Sequence, residues 1–373
     1  MKKKNIIIIL IIYMFFSFIN LQNTDLLVKQ FLFYAATIFF IYFYKTDIVH
    51  KNIRLLYLLF NALLLYLLLF GKEINGSKSW LVLGTFLIQP SEFMKVILLI
   101  YLSFIATKYE NYKIKCLIIT LIPAILTFLE PDTGNVMFYF VTLLAVIFYK
   151  EGNTLSILKY GTALILLVII FLTVYLNFTE EFIKVFGYSI YYRLDRVFSL
   201  FNNSSYQLNR ALIGIGNAHL FGSDKIVSIP YQTTDFAFSY LTSNVGFIGI
   251  LGFLLFNLCV NLYFIKSIRY NVGMNRSVVF SFIVMKITQE TIHILMNIGL
   301  FPITGITLPF ISYGGSSLLS YALILAYISK DNCSMVDSKD KVELGMEQGL
   351  HKLGEVWKVR LPQLLQAHLK EME

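Results

Sequence analysis

A chain of 373 residues that is 57% hydrophobic and 16% aromatic, with only 14% charged residues, has too little polar surface for a water-soluble globule. A mean hydropathy of +0.70 leaves an integral membrane protein. The net charge of +9 is accounted for by anchoring against acidic lipid, and no nucleic-acid motif accompanies it.

Segments able to cross a hydrocarbon core of about 30 Å follow one another near 5–22, 26–44, 52–70, 90–107, 116–130, 134–149, 157–177, 236–264, 277–299 and 313–329. The expected fold is an all-α integral membrane protein of about ten transmembrane helices. The first run follows Lys2, Lys3 and Lys4 and has no small-residue cleavage site after Asn20, so an uncleaved anchor is expected. Basic residues such as Lys45, Lys51, Arg54, Lys108, Lys113, Lys150, Lys266 and Arg276 fall in alternate short connections, which places both termini in the cytoplasm. A long extracytoplasmic loop, 178–235, separates spans seven and eight and escapes the charge rule, so it can work outside.

Residues 1–330 thus form one polytopic domain, and the composition turns polar beyond Lys330. In the tail, 331–373, a short amphipathic helix and a remnant of expression or of a shifted reading frame carry equal weight, and no function is assigned. Cys116, Cys259 and Cys333 show neither metal spacing nor a pairing pattern and are expected to be packing residues.

The last span is the most informative. Phe301 to Leu318 carries Pro302, Pro309, Gly305, Gly314 and Gly315 where an uninterrupted helix would otherwise run. Broken backbone at membrane depth is tolerated only where protein or a wet cavity satisfies it, so this segment is expected to line a cavity.

Four segments occur in order: Gln89-Pro-Ser-Glu-Phe-Met-Lys95, Glu130-Pro-Asp-Thr-Gly134, Thr234-Asp-Phe236 and Pro302-Ile-Thr-Gly305 with Leu308-Pro-Phe-Ile-Ser-Tyr-Gly-Gly-Ser-Ser317. Together they closely resemble the signature of the SEDS family, the RodA, FtsW and SpoVE group, over span one to about Lys330. The resemblance implies a peptidoglycan glycosyltransferase that polymerises lipid II at the outer face of the bacterial cytoplasmic membrane, for elongation, division or sporulation. It also implies a class B penicillin-binding transpeptidase and other membrane proteins of the elongation or division complex as partners.

Asp235 ends the long loop beside an apolar helix, where desolvation raises a carboxyl toward the range a general base needs. On sequence alone, capping of span eight by Thr234 or Asp235 is favoured; the resemblance moves the preference to the base. Glu92 and Lys95 share one face at the start of span four, where the cation suits a lipid diphosphate and mutual stabilisation is an equal alternative. Arg193 and Arg196 also suit a diphosphate, against the alternative of a solvated face. The family's Tyr-Gln element matches Tyr206-Gln207. Asp132 is as well explained by capping span six as by chemistry. Trp80 is either an interfacial belt residue or part of the sugar path. Ser312, Tyr313, Ser316 and Ser317 contact sugar or satisfy freed backbone groups.

No resident cofactor is required, and a loosely held Mg²⁺ or Mn²⁺ on the diphosphate is compatible with the pattern. Metal-ligand, Walker and serine-hydrolase motifs are absent from the sequence. The chain departs from the family at Thr233, at Ser243-Asn244, in the turn Gly216-Asn-Ala-His219 and at His293, changes expected to cluster around the site. Two alternatives stand beside the enzyme. One is a transporter of the lipid-linked precursor, although the halves show no inverted repeat. The other is a non-catalytic scaffold for the transpeptidase.

Overall fold

The computed structural model describes residues 2–21, 23–44, 47–71, 73, 77–84, 86–152, 180, 184, 206–223 and 227–329. Expected span seven, Arg193, Arg196 and the tail 331–373 lie outside them. Among the described residues the chain forms helices α1 (Lys3–Ile19), α2 (Thr24–Phe43), α3 (Asp47–Phe70), α4 (Pro90–Lys108), α5 (Tyr112–Leu129) and α6 (Thr133–Glu151). After these come α7 (Tyr206–Gly216), α8 (Ala237–Ser267), α9 (Gly273–Asn297) and α10 (Gly315–Tyr327). Seven helices in the described residues are long and apolar enough to cross a membrane, which makes this a multi-pass membrane protein.

Local chemistry sets the helix starts. Asn23 caps α2 by accepting from the Asp25 amide at 2.8 Å. Pro90 opens α4, where its missing N–H costs nothing. Asp132 caps α6 by accepting from the Asn135 amide at 3.3 Å. Between α3 and α4 lies a feature the spans do not announce, an antiparallel hairpin of β1 (Leu81–Leu83) and β2 (Phe86–Ile88), with Leu81 opposite Ile88. Gly84 takes the positive φ of 61° that the tight connection demands.

Helix α4 is the central pillar. Its apolar window is 78% buried against α3, α5, α6, α9 and α10, whereas those of α2 and α3 are only 22% and 28% buried and present apolar faces outward. Lys95 is fully buried on this pillar. Of the three cysteines expected to be packing residues, Cys116 is buried on α5, Cys259 is exposed on α8, and Cys333 lies outside the described residues. Helix α8 is broken at Gly246, whose φ of 70° interrupts the helix. The freed amides of Phe247 and Ile248 donate to the His219 and Leu220 carbonyls at 2.9 and 3.1 Å. A Cβ at Gly246 would come within 2.3 Å of the Gly222 nitrogen, so this close passage requires glycine.

The segment before α10 is irregular, as its prolines and glycines require. Neighbouring helices satisfy its backbone. Ser17 of α1 donates to the Ile311 carbonyl at 2.9 Å, Tyr34 of α2 donates to that of Phe310, and Gln289 of α9 donates to that of Thr307 at 2.9 Å. His293 Nδ1 meets the Ile306 carbonyl at 2.7 Å. Phe310 sits at φ 66°, an uncommon conformation for an aromatic residue, pinned between the rings of Tyr13 and Tyr321 at 5.0 and 5.1 Å.

Candidate active site

A cavity of about 680 Å³ opens where α4, α6, α8 and α10 begin, roofed by the hairpin and closed on one side by α2. Its wall includes Trp80, Glu92, Asp132, Asp235 and Ser316, which the sequence singled out from five separate segments. Helix N-termini concentrate partial positive charge there, so carboxylates at their first turns are well placed electrostatically.

Asp235 stands on this wall just ahead of α8, and burial pushes its carboxyl up to about 6, against a hydrogen bond with the Thr234 side chain that holds it down. The residue that caps α8 is Phe236, with no side-chain capping bond, so the capping alternative for Thr234 and Asp235 falls away. The turn carrying Asp235 is tied down from two directions. Asn297 of α9 donates to the Asp235 carbonyl at 3.1 Å and accepts from the Ser239 amide and hydroxyl at 3.0 and 2.7 Å. The irregular segment supplies Ser312, which donates to the Thr234 carbonyl at 2.7 Å, and the Tyr313 amide, which donates to the Thr233 carbonyl at 2.7 Å. Ser312 therefore positions this turn from behind the wall.

Asp132 caps α6, as one of its two expected readings has it, and also lines the cavity. One oxygen caps α6; the other accepts from Gln89 at 2.7 Å, Ser91 at 2.6 Å and Asn135 at 2.9 Å while the residue faces the cavity. Ser316 accepts from the Gln89 amide at 2.9 Å and donates to the Leu87 carbonyl at 3.3 Å, which fixes the hairpin over α10.

Glu92 and Lys95 pair at 2.9 Å, as their spacing on one helix face predicts. It is Glu92 that lines the cavity. Lys95 lies behind it, 3.4 Å from Gln289 Oε1 and between the rings of Phe138 and Tyr321, each 5.4 Å away. Gln207 is half-buried on α7 and is not part of this wall.

Lys29, Gln89, Asn135, Gln289 and Thr307 add polar groups to the wall without having been singled out as binding residues, whereas Tyr313 and Ser317 line it as candidates of the broken segment. For Gln289 a signal existed. Lys286, Gln289, Glu290, His293 and Asn297 recur at helical spacing inside one span, and intramembrane polar residues at such spacing mark an interior face.

The departures from the family pattern lie behind the wall. Ser243 is buried at the α8 break, its carbonyl accepting from the Ser223 amide at 2.9 Å, and Asn244 donates to the Ile19 carbonyl at 3.3 Å. His293 is buried behind Ile306, and Thr233 meets the site region through its carbonyl. Of the departures, Thr233 and His293 touch segments that form the wall, whereas Ser243, Asn244 and His219 contact Ser223, Ile19 and Phe247, which do not line it.

The sequence matches the cell cycle protein family of FtsW, RodA and SpoVE over residues 5–332. It is 33% identical over 312 residues to a probable peptidoglycan glycosyltransferase FtsW of Wigglesworthia glossinidia brevipalpis, covering 76% of each chain. It is 30% identical to the protein of the same description from Buchnera aphidicola of Schizaphis graminum, covering 78% of this chain and 86% of that one. In fold it is similar to a chain from a peptidoglycan synthase complex that coordinates polymerization and crosslinking, with a TM-score of 0.73 at 23% identity over 90% of this chain and 98% of that chain. It is also similar to the rod shape determining protein RodA of Thermus thermophilus, with a TM-score of 0.64 at 21% identity over 90% of this chain and 97% of that chain.

Proposed function

The chain belongs to the FtsW, RodA and SpoVE family, and we propose that it is a peptidoglycan glycosyltransferase that polymerises lipid II at the outer face of the cytoplasmic membrane. The observation that carries the mechanism is the placement of Asp235 on the cavity wall, unused by capping and with its carboxyl pushed up to about 6. Ionised at neutral pH, it is ready to take a proton.

The 4-hydroxyl of the acceptor sugar attacks the anomeric carbon of the donor. As the new C–O bond forms, the hydroxyl proton passes to the Asp235 carboxylate. The bond from the anomeric carbon to the diphosphate breaks, and the polyprenyl diphosphate leaves with the electron pair. One displacement inverts the anomeric configuration. Trp80, Glu92, Asp132 and Ser316 contact the sugars, and Ser312 positions the turn that carries Asp235. Lys95 fixes Glu92 from behind, while Arg193, Arg196 and Gln207 serve the diphosphate from the outer loop. No resident cofactor is needed, and Mg²⁺ or Mn²⁺ arriving with the diphosphate is tested by chelation.

About ten spans with both termini in the cytoplasm put the 178–235 loop outside. A class B penicillin-binding transpeptidase is the partner, within an elongation or division complex. A family relationship in sequence and a fold shared with the polymerising and crosslinking complex support this.

The test is glycan-chain formation from purified lipid II by the detergent-solubilised protein with its transpeptidase, comparing wild type with Asp235→Asn at equal folded amounts. The expected loss is about a thousandfold, the scale of a general base. Polymer formed equally by both proteins would remove Asp235 from the mechanism; none from either, in an assay validated with another polymerase, would favour the scaffold or the transporter.

A further inference from the structure

The described cavity wall carries three carboxylates, Glu92, Asp132 and Asp235, but only one cation, Lys29. A diphosphate entering this space is repelled by the acidic side and attracted to the side of α2. Lys29 forms no ion pair or hydrogen bond with the described residues and is half-buried, so its ammonium is available to a ligand. Lys95 cannot serve this wall directly, because it is fully buried and paired with Glu92.

The stretch of α2 that carries Lys29 is anchored by Phe33. Phe33, one turn further along α2, lines the same cavity, and its ring lies so close to Gly315 that a Cβ there would come within 2.1 Å of it. The same ring meets Phe86 of the hairpin edge to face at 5.7 Å. The neighbouring side chains Val28, Phe31 and Leu32 are exposed, presenting an apolar outer face to lipid. Lys29 thus stands between a lipid-facing surface and a polar cavity, the place where an amphiphile with its chain in the membrane must bring its phosphates.

We infer that Lys29 holds the diphosphate of the lipid-linked substrate against α2, which turns the sugar end toward Asp235. The identity of the lipid rests on the glycosyltransferase reading; the phosphate chemistry rests on the wall itself. A bulk phospholipid headgroup offers the same phosphate chemistry, and the experiment separates the two.

Full-length protein is placed in phosphatidylcholine nanodiscs, and binding of a C55 polyprenyl diphosphate is measured for wild type, Lys29→Gln and Lys29→Arg, with the polyprenyl alcohol as control. Lipid II polymerisation is measured on the same samples. Loss of one charge-assisted contact predicts binding weakened about tenfold and a KM raised similarly in Lys29→Gln, with kcat much less affected and Lys29→Arg near wild type. Equal binding and equal KM for wild type and Lys29→Gln overturn the inference. So does a wild-type advantage that vanishes when phosphatidylglycerol replaces part of the phosphatidylcholine, which makes Lys29 a headgroup anchor. Should Lys29→Gln fail to fold, acetylation of Lys29 in wild type provides the readout: protection by the polyprenyl diphosphate but not by the alcohol supports the inference, and equal labelling overturns it. Diphosphate binding through Lys29 without polymer would sink the glycosyltransferase reading alone, whereas polymer at unchanged KM in Lys29→Gln would sink this inference alone.

Discussion

Two lysine–glutamate pairs lie inside this bundle, and in the sequence they look alike. Lys95 pairs with Glu92 three residues before it, and Lys286 pairs with Glu290 four residues after it; both lysines are fully buried. Their surroundings differ. Around Lys286 both charges are answered within the bundle: its ammonium donates to Glu290, to Asn261 at 2.7 Å and to Asn257 at 3.3 Å, while Asn261 donates to the other Glu290 oxygen at 3.0 Å. Tyr13 of α1 closes the cluster by donating to Asn257. The Lys95 pair instead has its carboxylate on the cavity wall. An ion pair in a membrane protein is thus structural or functional according to whether one partner meets a wet surface.

Breaking the sealed pair tests this most severely. Lys286→Met leaves the buried Glu290 charge without a counter-ion, with an expected loss of about 3–5 kcal/mol of stability, read as lost folded yield or an earlier thermal transition in detergent. The neutral double variant Lys286→Gln with Glu290→Gln should recover both folded protein and glycan polymerisation. Folded but inactive double variant would mean that the cluster does more than hold helices together.

The cavity-side pair should respond in the opposite way. Glu92→Gln with Lys95→Gln is expected to fold, yet to lose about a hundredfold in kcat/KM, on the scale of a preorganised electrostatic group. Wild-type turnover in that double variant would place both pairs in the structural class.

Asp235 offers a smaller, graded effect. With a carboxyl pushed up to about 6, the base is protonated below that value, so the rate should fall about tenfold per pH unit below it and level off above. A rate that stays flat on descending from pH 7 to pH 5, with folding intact, would point to another base.

The smallest effect concerns Glu130, in the turn between α5 and α6. It is fully buried, with no hydrogen-bond partner for either oxygen among the described residues, and burial followed by the nearby Asp132 charge pushes its carboxyl up to about 8. The folded state then holds a proton that the unfolded chain releases at lower pH. Stability from this group is present at acidic pH and is lost as pH rises toward about 8. The thermal transition of Glu130→Gln, compared with wild type, should lack that slope; parallel curves would show that Glu130 has found a partner.

Much of the fold could be read from the chain. Spans near 26–44, 90–107 and 277–299 appear as α2, α4 and α9 because apolar length and end chemistry settle a membrane helix locally. The break before α10 was legible for the same reason, since proline and glycine act where they stand. The β1–β2 hairpin was not, because its short apolar runs look like an outer loop until Gly84 is recognised as a tight connection. At the site, Asp235, Asp132, Glu92, Trp80 and Ser316 were found from their segments, but Lys29 and Gln289 were not. A single lysine near a helix start reads as an interfacial anchor, and only its neighbours say otherwise.

The sequence by itself determined that this is a multi-pass membrane protein, where most of its helices run, and which family it belongs to, because each rests on local composition or on residues in order. The tertiary structure alone decided which polar residues share a cavity, that Glu92 rather than Lys95 faces it, and that Lys286 is sealed away. The cost of a buried charge is written into the chain; whether water, a substrate or a neighbouring side chain offsets that cost depends on helices distant in sequence that meet only in the folded bundle.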